Sequence, residues 1–285
     1  MNAPGDAKAL RRFYFDRLMR SNWAGVLTLL LVVAVAKGVT VSTPGPALSI
    51  GGGVLAFALA TGIAYAVAGR RAGRDFFASY ARSRDLTLGG KAPLPGATPL
   101  LRRGEDRYAV ISWSGELGAG VSGSLALFTW ESRVNTAKHK STTYFNYTVG
   151  LVEVRECAHL VPELYCQRRF GPRGLDGLED AVIAKQRVEF ESQVLTERYE
   201  VFAGPGQDAI WLRRLFSPSF IVWLAESAPE WLRFELVDGW LCCYVKGHME
   251  TAAELDSLAL ATATVARRLR EESEETLRQT IGSAP

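Results

Sequence analysis

Histidine is scarce in this chain of 285 residues, with only His139, His159 and His248. None stands in H-E-x-x-H or beside a run of further ligands, so a zinc hydrolase of that type is excluded. The four cysteines, Cys157, Cys166, Cys242 and Cys243, form no C-x-x-C pair and have no zinc-finger spacing. Cys157, His159 and Cys166 lie within ten residues but lack a fourth ligand, and no metal is expected. A G-x-S-x-G nucleophile elbow is absent. Gly115, Gly118 and Gly120 match neither G-x-G-x-x-G nor a Walker loop and read as a hairpin turn. The glutamates Glu189, Glu191, Glu197 and Glu200 alternate as on the wet face of a strand. No catalytic residue and no cofactor are therefore assigned. A net charge of +3 and a pI of about 8.7 are too mild for a nucleic-acid partner.

Charge is also missing locally. Between Trp23 and Gly69 the only charged side chain is Lys37. This holds in a chain that is 22% charged overall, with a mean hydropathy of +0.03. Two apolar runs, 23–41 and 47–69, are each long enough to cross about 30 Å of hydrocarbon as a helix. Ser42-Thr43-Pro44-Gly45-Pro46 between them reads as a turn. Arginines flank the pair on the outside: Arg11, Arg12, Arg17 and Arg20 before it, Arg70, Arg71 and Arg74 after it. Basic collars at both outer ends predict a transmembrane helical hairpin in the plasma (inner) membrane, with both termini cytoplasmic. The same arginines are candidate contacts for anionic lipid headgroups. Ala34-Val35-Ala36 offers a competing signal-peptide reading, but the 22-residue basic segment and the second apolar run weigh against cleavage. In the second run Gly52, Ala56, Ala60, Ala64 and Ala68 recur every fourth residue. Such a stripe of small residues seats a neighbouring helix, the first span of the same chain, with a homodimer through the second span as the alternative.

Beyond the runs the chain turns mixed and polar. The expected divisions are a basic segment 1–22, a hairpin 23–69, a juxtamembrane helix and linker 70–98, a cytoplasmic α+β domain 99–270, and a frayed tail 271–285. Strands are predicted over 107–113, 121–130, 142–154, 164–170, 187–190 and 196–202 from their alternation. The loop between the second and third carries Lys138-His139-Lys140 and reads as a solvated tip. Two central helices follow, over 207–216 and 219–227, the second opened by Ser217-Pro218. Asp238-Gly239 marks a two-residue type I′ hairpin. In that register Leu232, Phe234, Leu236, Leu241, Cys243 and Val245 share an apolar face. Arg233, Glu235, Cys242 and Tyr244 fall on the other, so Cys243 is expected in the core and Cys242 on the more polar side. Thr251-Ala252-Ala253-Glu254 is a capping box for a long C-terminal helix with Leu255, Leu258, Thr262, Val265 and Leu269 at helical spacing. Short turns between strands, without helical crossovers, favour an antiparallel sheet.

Several segments in order carry a resemblance: DFFASYARSRDLTL (75–88), PLLRRG (99–104), the strand–glycine–strand pair around Gly115, VEFESQVLTERYEVFAGPGQDAIWLRRLFSP (188–218), and FELVDGWLCCYV (234–245). With these the chain resembles a group of uncharacterised bacterial, actinobacterial-type two-span membrane proteins with a cytoplasmic α+β domain. The resemblance implies an architecture and transfers no activity. The chain departs from that pattern in its Lys138-His139-Lys140 loop and its cysteine pair. Function is thus expected to be that of a membrane-tethered module binding a protein partner or anionic headgroups. The alternative is a membrane-bound, hydrolase-like enzyme whose site assembles from distant residues.

Overall fold

The structure is a computed structural model that describes Asp6, Gly69, and residues 71–136, 139–169 and 185–282. By contacts the chain divides into two units, 1–83 with 250–252, and 84–249 with 253–285. In the first unit the described part is mainly a helix over residues 71–83 (α1). It buries Ala72, Phe76 and Tyr80 at i, i+4 and i+8, which is one helical face. Asp6 forms a bridge with Thr251 in the same unit.

The second unit is built on a nine-stranded sheet in the order β1-β2-β3-β4-β9-β8-β5-β7-β6, antiparallel at every pairing. The strands are β1 (Thr87–Gly89), β2 (Asp106–Gly118), β3 (Val121–Thr136), β4 (His139–Glu153), β5 (Glu163–Arg168), β6 (Gln186–Val188), β7 (Tyr199–Ala203), β8 (Arg233–Val237) and β9 (Trp240–Lys246). The helices are α2 (Pro99–Arg102), α3 (Gln193–Arg198), α4 (Ala209–Leu215), α5 (Pro218–Glu226) and α6 (Ala252–Gly282).

Local chemistry accounts for the turns. Ala119 and Gly120 (φ 50° and 74°) join β2 to β3, and Asp238 and Gly239 (φ 48° and 79°) join β8 to β9. Both pairs have the two positive φ values of a type I′ turn, whose twist matches the flanking strands. The β8–β9 register pairs Val237 with Trp240 and Phe234 with Cys243. This hairpin comes last in the chain yet fills the gap between β4 and β5, so the sheet closes only when residues about 70 to 100 apart in sequence meet.

One register row runs through all nine strands: Leu88, Trp113, Leu125, Gly150, Cys243, Phe234, Cys166, Val201 and Val188. It is apolar from end to end, and at Gly150 and Cys243 it meets Thr262 of α6. Gly150 lies close against α6, and a Cβ there would collide with the Thr262 hydroxyl. The next row, on the opposite face, reads Ser114, Ser124, Leu151, Cys242, Glu235, Tyr165, Phe202 and Arg187. Its polar ends suit a partly wet face, but its centre does not. Residues 90–104 cross that centre and pack Leu94, Leu100 and Leu101 into a cluster with Tyr165, Tyr244 and Cys242.

Several expectations are corrected here. The expected transmembrane hairpin is not supported: among the described residues no helix is long and apolar enough to cross a membrane. The runs 23–41 and 47–69, with the stripe Gly52, Ala56, Ala60, Ala64 and Ala68, lie outside the described residues apart from Gly69. Hydropathy measures how apolar a run is and not what buries it. The one long helix of the second unit, α6, is amphipathic, with Leu255, Leu258, Val265 and Leu269 buried and Glu254, Arg267 and Glu271 exposed. Cys242 is as fully buried as Cys243, because residues 90–104 cover the face expected to be polar. Of the strand expected over 196–202, residues 196–198 instead end a short helix, 193–198, and the strand begins at Tyr199. Ser192 caps the helix, its hydroxyl accepting the Leu195 N–H at 3.3 Å. α6 runs on to Gly282, with Glu272 and Ser273 buried along the way.

Candidate functional site

A cavity of about 610 Å³ opens at the end of the β8–β9 hairpin away from its turn. Three segments build it: the residues entering β8, the residues leaving β9, and the first turns of α6. The first is a tight turn in which the Leu232 N–H donates to the Pro229 carbonyl at 3.0 Å. Its third residue, Trp231, has φ 68°, where glycine or asparagine is the usual occupant. A bulky L-residue pays roughly 1–2 kcal/mol for that conformation. The indole is 46% exposed, and the Arg168 guanidinium of β5 sits 4.9 Å from its ring centre. With Pro229, Val245 and Met249, Trp231 gives the cavity an apolar wall. Arg233, Lys246 and His248 bring basic groups to it, and Glu230 and Glu254 bring acidic ones.

The 247–249 segment is anchored from beneath. The Thr148 hydroxyl donates to the Gly247 carbonyl and accepts the Met249 N–H, both at 2.8 Å. His248 Nε2 lies 3.2 Å from the Phe128 carbonyl and 3.3 Å from Thr129 Oγ1. A carbonyl oxygen only accepts, and Thr129 Oγ1 spends its proton on Asn146 Oδ1 at 2.9 Å. Nε2 therefore carries the hydrogen, and Nδ1 is the nitrogen that takes up a second proton. Thr129 is no nucleophile for this imidazole, because its partner nitrogen is a donor and the hydroxyl is buried.

The groups with strongly altered acidity lie elsewhere, inside the sheet. Glu235 on β8 is fully buried. Its Oε2 accepts the Leu100 N–H at 3.0 Å and its Oε1 accepts the Tyr244 hydroxyl at 3.4 Å. Burial outweighs these bonds and raises its pKa above the usual carboxyl range. Burial likewise raises Tyr165 and Tyr244, the latter also through the nearby Glu235. All four cysteines are buried free thiols. Cys157 is pushed up to about 11 and Cys243 to about 12, both by burial, and Cys166 and Cys242 shift the same way. A thiol held protonated is neither nucleophile nor metal ligand.

The sequence candidates fare as follows. Arg71 and Arg74 are exposed on α1. Arg11, Arg12, Arg17, Arg20, Arg70 and Lys138 lie outside the described residues. Cys157 is buried against Ser273, while His159 is exposed, so they do not converge. Among the described residues no three His, Cys, Asp or Glu side chains group as metal ligands. Sequence reasoning passed over Trp231; the available signal was a proline-started turn with a tryptophan at the position that wants glycine.

No protein-family model and no curated protein matches the chain. Among solved structures it is similar to the mycobacterial trehalose monomycolate transport factor A, TtfA. The identity is 12%, over 68% of this chain and 90% of that one, with a TM-score of 0.33. A likeness at that level carries no argument about fold or activity.

Proposed function

We propose that the sheet unit is a binding module that takes a short segment of a partner protein into the cavity beside Trp231. The observation that carries this reading is Trp231 itself: a large aromatic held at φ 68°, nearly half exposed, on the wall of a cavity of about 610 Å³. Strain retained at an exposed residue marks function more often than packing. An anchor of this kind, with an apolar wall inside and charges at the edge, has the anatomy of a protein-binding hot spot. The charges of both signs choose the ligand class. A polyphosphate chain would meet Glu230 and Glu254, whereas a peptide of mixed charge finds partners among both sets. Catalysis is disfavoured because the groups whose acidity burial alters, the thiols, the phenols and Glu235, lie in the core, away from this cavity.

The test is to pan a phage-displayed random peptide library against the full chain. The enriched peptides are then titrated by fluorescence polarisation. The expected peptides carry an aromatic or aliphatic anchor, and Trp231→Ala weakens them about tenfold or more, as removal of a hot spot does. Absence of enrichment, or equal binding to Trp231→Ala, would overturn the reading. Turnover of a bound peptide that is lost in His248→Ala would replace it with an enzyme.

A further inference from the structure

Beyond the end of β9, the strand next to it presents an open edge. β4 runs from His139 to Glu153, but β9 pairs with it only over residues 147–153. The last bond between the two chains is the Gly247 N–H donating to the Asn146 carbonyl at 2.8 Å. At Gly247, φ 97° turns the chain out of the sheet, and the Thr148 hydroxyl holds residues 247–249 in their new course. Along an antiparallel strand the backbone polar groups of successive residues point to opposite sides. The Asn146 carbonyl points toward the β9 side, so the N–H and C=O of Tyr144 and Thr142 point the same way, past the end of β9. Among the described residues no strand or loop pairs with them there. Both residues are exposed, Tyr144 by 58%.

We propose that the peptide taken up beside Trp231 adds to this edge as an extended strand in the line of β9, its backbone bonded to Tyr144 and Thr142. The inference rests on the cavity being a peptide site and specifies how the peptide is held. The two features adjoin. Gly247, bonded to Asn146 of β4, lines the same cavity as Pro229 and Trp231. A strand that leaves the cavity past Gly247 therefore meets Tyr144 first and Thr142 two residues on.

The edge lacks the features that keep exposed edges from pairing, which are charge, proline, a bulge or a cover. Residues 141–146 read S-T-T-Y-F-N, with neither charge nor proline. Their register with β3 runs without a bulge. The edge is also stiff before any ligand arrives: Phe145 stacks on Trp130 of β3, with ring centres 3.9 Å apart and planes 10° apart. A pre-ordered edge lowers the cost of binding. The outermost described strands of the sheet, β1 and β6, have three residues each and offer a much shorter template. In strand addition the main chain supplies affinity and side-chain contacts supply selectivity. The ligand class is therefore an extended, proline-free segment of a partner protein with one apolar anchor for the Trp231 wall.

The probe is the peptide most enriched from the random library, titrated by fluorescence polarisation against the full chain. Thr142→Pro deletes one outward N–H and spares the β3–β4 ladder, a position where edge strands accept proline. It is expected to weaken the peptide about tenfold, the worth of roughly one hydrogen bond, with the thermal midpoint unchanged. Thr142→Val keeps the amide and binds as the unaltered protein does. A second measurement needs no variant: hydrogen–deuterium exchange at Thr142 and Tyr144 is fast in the free chain and slows when the peptide is added. Full affinity in folded Thr142→Pro, or no slowing at these two amides, overturns strand addition. If Trp231→Ala still abolishes binding in that case, the cavity reading stands without it. If no peptide is enriched, both fall. Slow exchange at Thr142 and Tyr144 before any peptide is added also overturns the proposal. The edge is then occupied by a second copy if dilution restores fast exchange, and by the chain's own residues if it does not.

Discussion

The centre of the sheet and the mouth of its cavity treat unusual residues in opposite ways. Around Glu235 the chemically capable groups are enclosed, and burial raises the pKa of Glu235, Tyr165, Tyr244 and Cys242 alike. At the cavity the unusual residue is Trp231, whose backbone strain is retained while its ring stays half in solvent. Buried polar groups of the first kind set a register and restrict which partners fit, since each must find its mate on folding. An exposed strained aromatic contributes little to that. Altered acidity by itself is thus a poor guide to function in this protein, and strain combined with exposure is the better one.

The contrast can be broken by stability measurements. Phe234→Ala, at the centre of the nine-strand row, should cost about 3–5 kcal/mol in denaturant unfolding. A loss below about 1 kcal/mol, the level of a surface change, would mean that the row is not the core. Gly150→Ala should cost about 1–3 kcal/mol, because the new methyl group meets the Thr262 hydroxyl and α6 must shift. An unchanged midpoint would show that α6 is not seated as described.

The pH dependence of stability sharpens the same comparison. The fold raises the pKa of Glu235, so its contribution is complete below the unfolded value of about 4.3. It is lost progressively as pH rises from there through the raised folded value. Unfolding free energy in Glu235→Gln should lack that decline, and a parallel pH profile in the two proteins would remove Glu235 as its source.

Trp231→Gly should be almost silent in stability yet severe in binding. It relieves roughly 1–2 kcal/mol of left-handed strain. Against this it loses about 0.5–1 kcal/mol of contact with Arg168 and adds about 0.5–1 kcal/mol of chain entropy. The net change should stay within about 1 kcal/mol while peptide binding disappears; a large destabilisation would make Trp231 a packing residue. The smallest effect is expected at Arg84, whose ion pair with Asp256 is 48% and 35% exposed. Arg84→Ala should cost less than about 1 kcal/mol, and less still at high salt. A larger, salt-independent loss would show that this contact is structural.

Much of the sheet was legible because alternation and turn chemistry are local. Asp238-Gly239 specifies its hairpin through two positive φ values, and the register that follows from it is the register observed. Ser217-Pro218 opens α5 for equally local reasons. The membrane hairpin was read from hydropathy, a one-dimensional property that does not say what surrounds a run. Glu235 and Cys242 were placed on a wet face because alternation tells inside from outside only when one face is bare. Here residues 90–104 come from about 135 positions earlier to cover it.

The chain by itself determined its turns, its strand periodicity, the helical face of α6 and the lack of any local catalytic motif, since each depends on residues a few positions apart. Tertiary structure alone decided that β8 and β9 enter between β4 and β5, that both faces of the sheet centre are dry, and that burial raises the pKa of Glu235. It also decided that Pro229, Trp231, Met249 and Glu254 surround one cavity. These features depend on contacts between segments distant in sequence, and solvation is set by whatever packs across a residue in space.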